Sequence, residues 1–328
     1  MTALRTIVAG DCAAGELGRL AATLLEQEVG APTLLVARLA EDALLLGRHQ
    51  RAASAVDLAA ARARGLAVAR RAGGGKTLHA ASGSVGILLA VPPGGWSEPL
   101  APDRVLNRCV RGLLRGLTAA GAAGGAFYFG RDFVSWRRQQ VAAVSQDGAP
   151  GGTMLFEAVV AAAAPLALPE GLSRYPEHAD PRAPGPPHAS LPAGFDRIAE
   201  AVIEAWSSAL GATPSAEPAR PEPGDPLAPP LEEDDGDLAA SGLFEIPIGF
   251  LEAQVRMGGD RIAEARLRGD FIAPAFAVAG LEAALVGRRL ELAEIAPMVD
   301  AAFTRPPTTI VGVRELRVVA DALLACRA

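Results

Sequence analysis

Apolar and polar residues recur along this chain with two periods, and each period predicts an element. Between residues 11 and 29, Leu17, Leu20, Ala21, Leu24 and Leu25 fall three and four apart, the spacing of one buried helical face. The runs "APTLLVARL" and "DALLLGRHQ" that follow are short and strand-like. Ser54 and Asp57 resemble a capping box opening a helix that Gly65 closes. "LAVARR" alternates as a strand and runs into three glycines, and "VGILLAV" beyond them is apolar without a break, the pattern of a strand buried on both faces. Residues 102–118 place Val105, Leu106, Cys109, Val110, Leu113, Leu114 and Leu117 on one helical side. "AFYF", "QVAAVS" and "TMLFEAVVAAAA" read as strands, 173–190 as a loop rich in proline and histidine, and 193–211 as a helix with Phe195, Ile198, Val202, Ile203, Trp206 and Leu210 inward.

The pattern then fails. "ATPSAEPARPEPGDPLAPPLEEDDGD" has almost no large apolar side chain to offset the entropy of ordering it, so it reads as a linker, and its acidic run Glu232–Asp235 as a solvated face. From Leu243 the periodicity resumes with a hairpin turning at Gly258-Gly259, a second glycine turn at Gly269, and helices near 276–286, 291–302 and 313–325. The expected organisation is a first domain over 1–212, a linker over 213–241 and a small α+β domain over 242–328.

Composition narrows the partners. Of 328 residues half are hydrophobic, 31 are basic and 37 acidic, for a formal charge of −6. Nothing in this balance predicts nucleic-acid binding. No apolar run reaches the length of a membrane span, and the first twenty residues lack the basic start and apolar run of a signal peptide. Cys12, Cys109 and Cys326 are odd in number, far apart and without a CxxC pair, which argues against zinc or a disulfide framework and fits a reducing, cytoplasmic setting. No metal site is expected. Asp132 in "GRDF" either holds a metal or ends a strand, and His178 and His188 receive no role.

The chemistry concentrates in "RRAGGGKTLH", residues 70–79. Gly73, Gly74 and Gly75 remove side-chain bulk, so their N–H groups can face an anion, and Arg70, Arg71, Lys76 and His79 flank them. A tight strand-to-loop turn and a satisfied histidine beside the sheet are the plainer alternatives. Cys109, on the apolar side of its helix, reads as a packing residue rather than a nucleophile.

These residues resemble the lipoate–protein ligase A family and the wider biotin–lipoate ligase superfamily. "LLLGRHQ", with Arg48 and Gln50, is similar to the family's GRxQ strand end; the glycine triplet and His79 follow with the family's Gly-to-His spacing; and "GDF" followed by "LEAALVG" at Leu281–Gly287 looks like its C-terminal accessory domain. The resemblance implies an α+β fold with a mixed sheet, ATP and Mg²⁺ as cofactors, a lipoate-like carboxylic acid held by Arg48, Arg70, Arg71, the glycines and His79, and a carrier-protein lysine as acceptor. An enzyme of this kind predicts a tunnel beside the glycines, lined by "VGILLAV" and "TMLFEAVVA", with the cationic groups at its mouth. The sequence departs from the family at Ala72, where Ser or Thr is usual, at Ala80, where an acid is usual, and at Gln140, which aligns with the family's acyl-contacting lysine. The arginine pair also stands one residue closer to the glycines, and "HAASGS" carries one residue more than usual. Lys76, Arg137 or Arg138 could supply the missing charge. Three readings follow: a divergent acyl ligase or acyltransferase with Lys76 and Gln140 at its catalytic centre, a non-catalytic protein binding an acylated carrier or partner enzyme, or an amide-forming enzyme of cofactor biosynthesis.

Overall fold

The computed structural model describes residues 3–26, 30–95, 102–180, 185–217, 221–225, 237–304 and 308–326, excepting the side chains of 102 and 103. The first unit opens with β1 (Ala3–Cys12), α1 (Ala14–Glu26), β2 (Thr33–Leu39) and β3 (Ala43–Leu46), then two short helices, α2 (Ala52–Ala55) and α3 (Leu58–Ala63). β4 (Ala67–Arg70), β5 (Leu78–Ala80), β6 (Val85–Val91) and the long α4 (Pro102–Ala120) follow. β7 (Phe127–Tyr128), β8 (Phe133–Trp136), β9 (Gln139–Gly148), β10 (Met154–Val160), α5 (Phe195–Leu210) and β11 (Thr213–Ala216) complete it.

Eight strands form one mixed sheet in the order β11-β1-β2-β6-β10-β9-β8-β7. β1 runs parallel to both its neighbours, and the pairs from β2 onward are antiparallel. The uninterrupted apolarity of β6 has the predicted cause. Val85, Ile87, Leu89 and Val91 enter the core that also holds α4 and α5, and Leu88 and Ala90 enter the opposite one, with α1. Two glycines let α1 approach: a Cβ on Gly86 would lie 2.5 Å from Leu17, and one on Gly18 would lie 2.6 Å from the Arg70 carbonyl. A second, three-stranded sheet, β4-β3-β5, carries the glycine triplet between β4 and β5.

The C-terminal unit contains β12 (Ala239–Ala240), β13 (Phe244–Ile246), β14 (Gly249–Gly258), β15 (Arg261–Gly269), α6 (Ala275–Leu285), α7 (Leu292–Phe303) and α8 (Arg317–Leu324). β14 pairs with β12 and β13 along one edge and with β15 along the other.

Three local expectations change. Ser54 lies inside α2; Asp57 is the N-cap of α3, its Oδ1 accepting from the Ala60 N–H at 2.9 Å. The stretch read as helix from residue 11 begins at Ala14, because β1 extends to Cys12. Thr213–Ala216, read as the start of a linker, is an edge strand on β1; 218–220 and 226–236, with the acidic run, lie outside the described residues. All three cysteines are buried free thiols, and burial pushes the Cys109 thiol up to about 12, which keeps it protonated and unsuited to nucleophilic attack. No helix among the described residues is long and apolar enough to cross a membrane.

Candidate active site at the glycine turn

The parallel pairing of β3 with β4 brings Gly47–Gln50 beside Arg70–Gly75. The Arg71 N–H donates to the Leu46 carbonyl at 2.8 Å and the Arg48 N–H to the Gly73 carbonyl at 3.0 Å. The two loops touch so closely that a Cβ on Gly47 would sit 2.0 Å from the Gly75 carbonyl oxygen. Arg70 binds this junction from within. Its Nη1 donates to the carbonyls of Gln50, Gly47 (3.3 Å) and Arg48 (3.4 Å). Arg70 is therefore a brace for the 47–50 loop.

The N–H groups of Gly73 and Gly75 face protein acceptors. Gly73 donates to Glu157 Oε2 at 2.8 Å, and the Ser145 hydroxyl donates to the same oxygen at 3.3 Å. Gly75, with φ of 97°, donates to the Phe271 carbonyl at 3.2 Å. A Cβ on Gly73 would fall 1.9 Å from Ser145 Oγ, and one on Gly74 would fall 2.1 Å from the Phe271 carbonyl oxygen. The glycines are required here because the rest of the protein comes against them.

The cations divide between two places. Arg48 Nη1 donates to Asp147 Oδ2 at 3.0 Å, both side chains almost fully buried. Burial pushes the Asp147 carboxyl up and Arg48 partly restores it. This pair lines a cavity of about 630 Å³ with Leu25, Pro92, Thr153, Ala275 and Phe276. The cavity lies at the ends of β6 and β10, at Pro92 and Thr153, and no residue of either strand lines it. Arg71 Nη2 donates to the Lys76 carbonyl at 2.7 Å, and its guanidinium interacts with Glu157, Asp132 and Asp270. Burial lowers the pKa of Arg71 and raises that of Glu157.

Lys76 stands at the other side of the turn. Burial lowers its pKa, an effect that Asp132 and Asp270 oppose and Arg131 reinforces. His178 and His188 lie within its field; burial first, then the Lys76 charge, lowers both imidazoles. Asp132 Oδ1 and His188 Nδ1 have no hydrogen-bond partner among the described residues. The described residues contain no group of three or more His, Cys, Asp or Glu that could hold a metal ion.

Gln140 lies on β9, where its N–H donates to the Pro187 carbonyl (2.7 Å) and its carbonyl accepts from Ala189 (2.9 Å), which sets His188 beside it. His79 is on β5, paired with Leu44, with no side-chain hydrogen bond or ion pair to the glycine turn among the described residues. Arg137 and Arg138 form the exposed β8–β9 turn. The structure thus joins Arg48 and Arg70 to the glycine turn, places Arg71 and Lys76 with Asp132 and Asp270 at its other side, and shows no hydrogen bond or ion pair from His79 or the 137–138 pair to them among the described residues.

The motifs of the two units also interlock. Gln50 Nε2 donates to Asp270 Oδ1 at 2.6 Å, His49 Nε2 meets the Ala273 carbonyl at 2.9 Å, and the His49 and Phe271 rings stack at 4.8 Å. Burial drives the His49 imidazole down to about 3 and the Asp270 carboxyl up to about 7. Glu157 had a readable signal, a lone carboxylate inside the apolar run "TMLFEAVV"; the acceptor role of Phe271 had none, because it is a main-chain carbonyl from the other unit.

No family model matches the chain, and no curated protein does. Solved structures do. A lipoate complex of LipL1 from P. falciparum superposes with a TM-score of 0.67 at 12% identity, covering 98% of this chain and 99% of that one. A bipartite lipoate protein ligase from Thermoplasma acidophilum, solved in a study that includes its E2 lipoyl domain, gives 0.55 at 15% identity over 66% and 87%. An ATP-bound lipoate-protein ligase A gives 0.52 at 15% over 67% and 91%. The fold is that of the lipoate–protein ligases: a mixed-sheet α/β unit followed by a smaller unit of strands and helices.

Proposed function

We propose that this chain is an ATP-dependent acyl ligase or acyltransferase acting on a lipoate-like carboxylic acid, with a lysine of a carrier domain or a small amine as acceptor. The observation that supports it is the position of Lys76, a half-buried ammonium directly after the glycine turn, among Asp132, Asp270, Arg131 and two histidines. ATP supplies the leaving group that activates the acid. Lys76 would hold the negative charge that develops there, in place of the lysine that Gln140 replaces. Loss of one such contact costs on the order of 3 kcal/mol in the barrier, or about a hundredfold in rate. Asp132, with one buried carboxylate oxygen lacking a partner among the described residues, is the residue suited to hold Mg²⁺ beside the phosphates. Glu157 and Phe271 already accept from the triplet, so an anion reaching those N–H groups must displace them.

ATP–pyrophosphate exchange with lipoate, octanoate and biotin tests the reading. Exchange is expected with at least one acid, and Lys76→Ala is expected to reduce it about a hundredfold or more. Absence of exchange with all three overturns it.

One observation favours a second reading, a binding protein without turnover: internal groups occupy Gly73, Gly75 and Arg48. That reading predicts thermal stabilisation by lipoate alone, about 2.7 kcal/mol at a hundred times its dissociation constant, with no exchange.

A further inference from the structure

The hairpin joining β8 to β9 pairs Trp136 with Gln139, so its turn has two residues, Arg137 and Arg138. Their φ angles are 50° and 62°, and they are the only non-glycine residues with positive φ among the described residues. A two-residue turn with both residues left-handed is the type that Asn-Gly ordinarily fills, because a Cβ is unfavourable there. Two arginines are a poor choice for folding, and an outlier of this kind motivates a search for what it presents. Both side chains are exposed; the Arg137 guanidinium lies over the Trp136 ring at 4.5 Å, and no acid pairs with either among the described residues.

The same rim carries a second anomaly. Among the described residues β7 is the outermost strand of the large sheet and pairs only with β8. Phe127 is 52% exposed and Phe129 71%, their rings stacked at 6.5 Å. Tyr128 between them is half-buried and within electrostatic reach of Asp132, beside Lys76. An open strand edge, an exposed aromatic pair and two guanidiniums without an acidic partner among the described residues therefore share one margin, and Asp132, on the loop between β7 and β8, lies against the glycine turn, where a Cβ on Gly75 would come 3.9 Å from its Cβ. Open edges with exposed apolar residues are normally blunted, and those left open serve pairing with another chain.

We propose that the β7 edge, with Phe127, Phe129, Arg137 and Arg138, is the docking surface for a folded, acidic carrier domain, held there so that its acceptor group reaches Lys76. The choice of a carrier rests on the function proposed above; the choice of an acidic partner rests on the arginines. A second copy of this chain fits less well. In a two-fold contact the patch would meet itself, and residues 126–139 offer no exposed carboxylate to the arginines, Asp132 being buried.

The test is binding of the full chain to the apo E2 lipoyl domain of Thermoplasma acidophilum by titration calorimetry at low and high salt. Expected is a complex that weakens with salt. The double substitution Arg137→Asn with Arg138→Gly should weaken it at least tenfold while raising the melting temperature, because it installs the preferred turn. Phe129→Ser should weaken it with the melting temperature unchanged. No complex, or a complex indifferent to both variants, overturns the proposal. So does a concentration-dependent dimer in sedimentation that the same variants abolish, which would assign the surface to self-association. Running the ATP–pyrophosphate exchange on the same wild-type protein used in the titration separates the two claims: docking without exchange removes the enzyme reading and keeps the surface, and exchange without docking does the reverse.

Discussion

At Gly74 the two units of the chain come within van der Waals distance through main-chain atoms alone. A methyl group there would meet the Phe271 carbonyl oxygen at 2.1 Å and Ile272 Cα at 2.9 Å, and neither can rotate away. Gly74→Ala is therefore expected to destabilise by about 1–3 kcal/mol, read as a lower denaturant midpoint. Asp270 gives a second test at this scale. Its carboxyl accepts from Gln50 and from the Phe250 N–H, and burial holds its pKa near 7 against an ordinary 3.8. The folded state thus retains a proton that the unfolded chain releases, and stability from this group falls as pH rises from about 4 to about 7, then levels. Asp270→Asn cannot accept in both places, so it should be less stable overall; denaturant melts across that range should show the gap between wild type and variant narrowing as pH rises. The sequence displayed these residues without their pairing. The triplet between cations stood out in the sequence; that packing against Ser145 and Phe271 calls for its glycines was not readable there. That the Gly73 N–H would face Glu157, eighty-four positions away, could not be read, since strand register decides it.

Elements with uninterrupted periods were the readable ones. α1 and α4 declare themselves through leucines three and four apart, and β6 through continuous apolarity. β1 escaped because its register shifts between Val8 and Gly10, which breaks the alternation, and Gly10 adopts a φ of 65°. β11, "TPSA", has no large apolar residue and is exposed throughout, and pairs as a strand on the edge of β1. The packing of α4 on α5 shows what periodicity leaves out. Gly112 admits the Trp206 ring, which a Cβ would meet at 2.3 Å, and Gly116 would bring one within 2.8 Å of Val202 Cα. Alanine in a helix interior gains up to about 1 kcal/mol over glycine. Overpacking against a backbone atom costs about 1–3 kcal/mol. Gly116→Ala is accordingly expected to lower the melting temperature despite its better helix propensity.

Across the whole molecule, residues far apart in the chain close the structure. The strand ends 47–50, the glycine turn and the GDF segment meet at one junction, so the resemblance in sequence is carried largely by residues that hold the two units together. The large sheet is closed in a similar way at its other margin, where Ala3 lies opposite Thr213. A ribosome adding about 5–20 residues per second exposes the outer edge of β1 for on the order of 10–40 s before β11 emerges to cover it. During that interval the nascent chain displays an unsatisfied strand beside an apolar surface, the kind of segment that chaperones bind. Truncation before residue 213 would make that exposure permanent, and such fragments should be recovered as aggregates rather than as a smaller soluble domain.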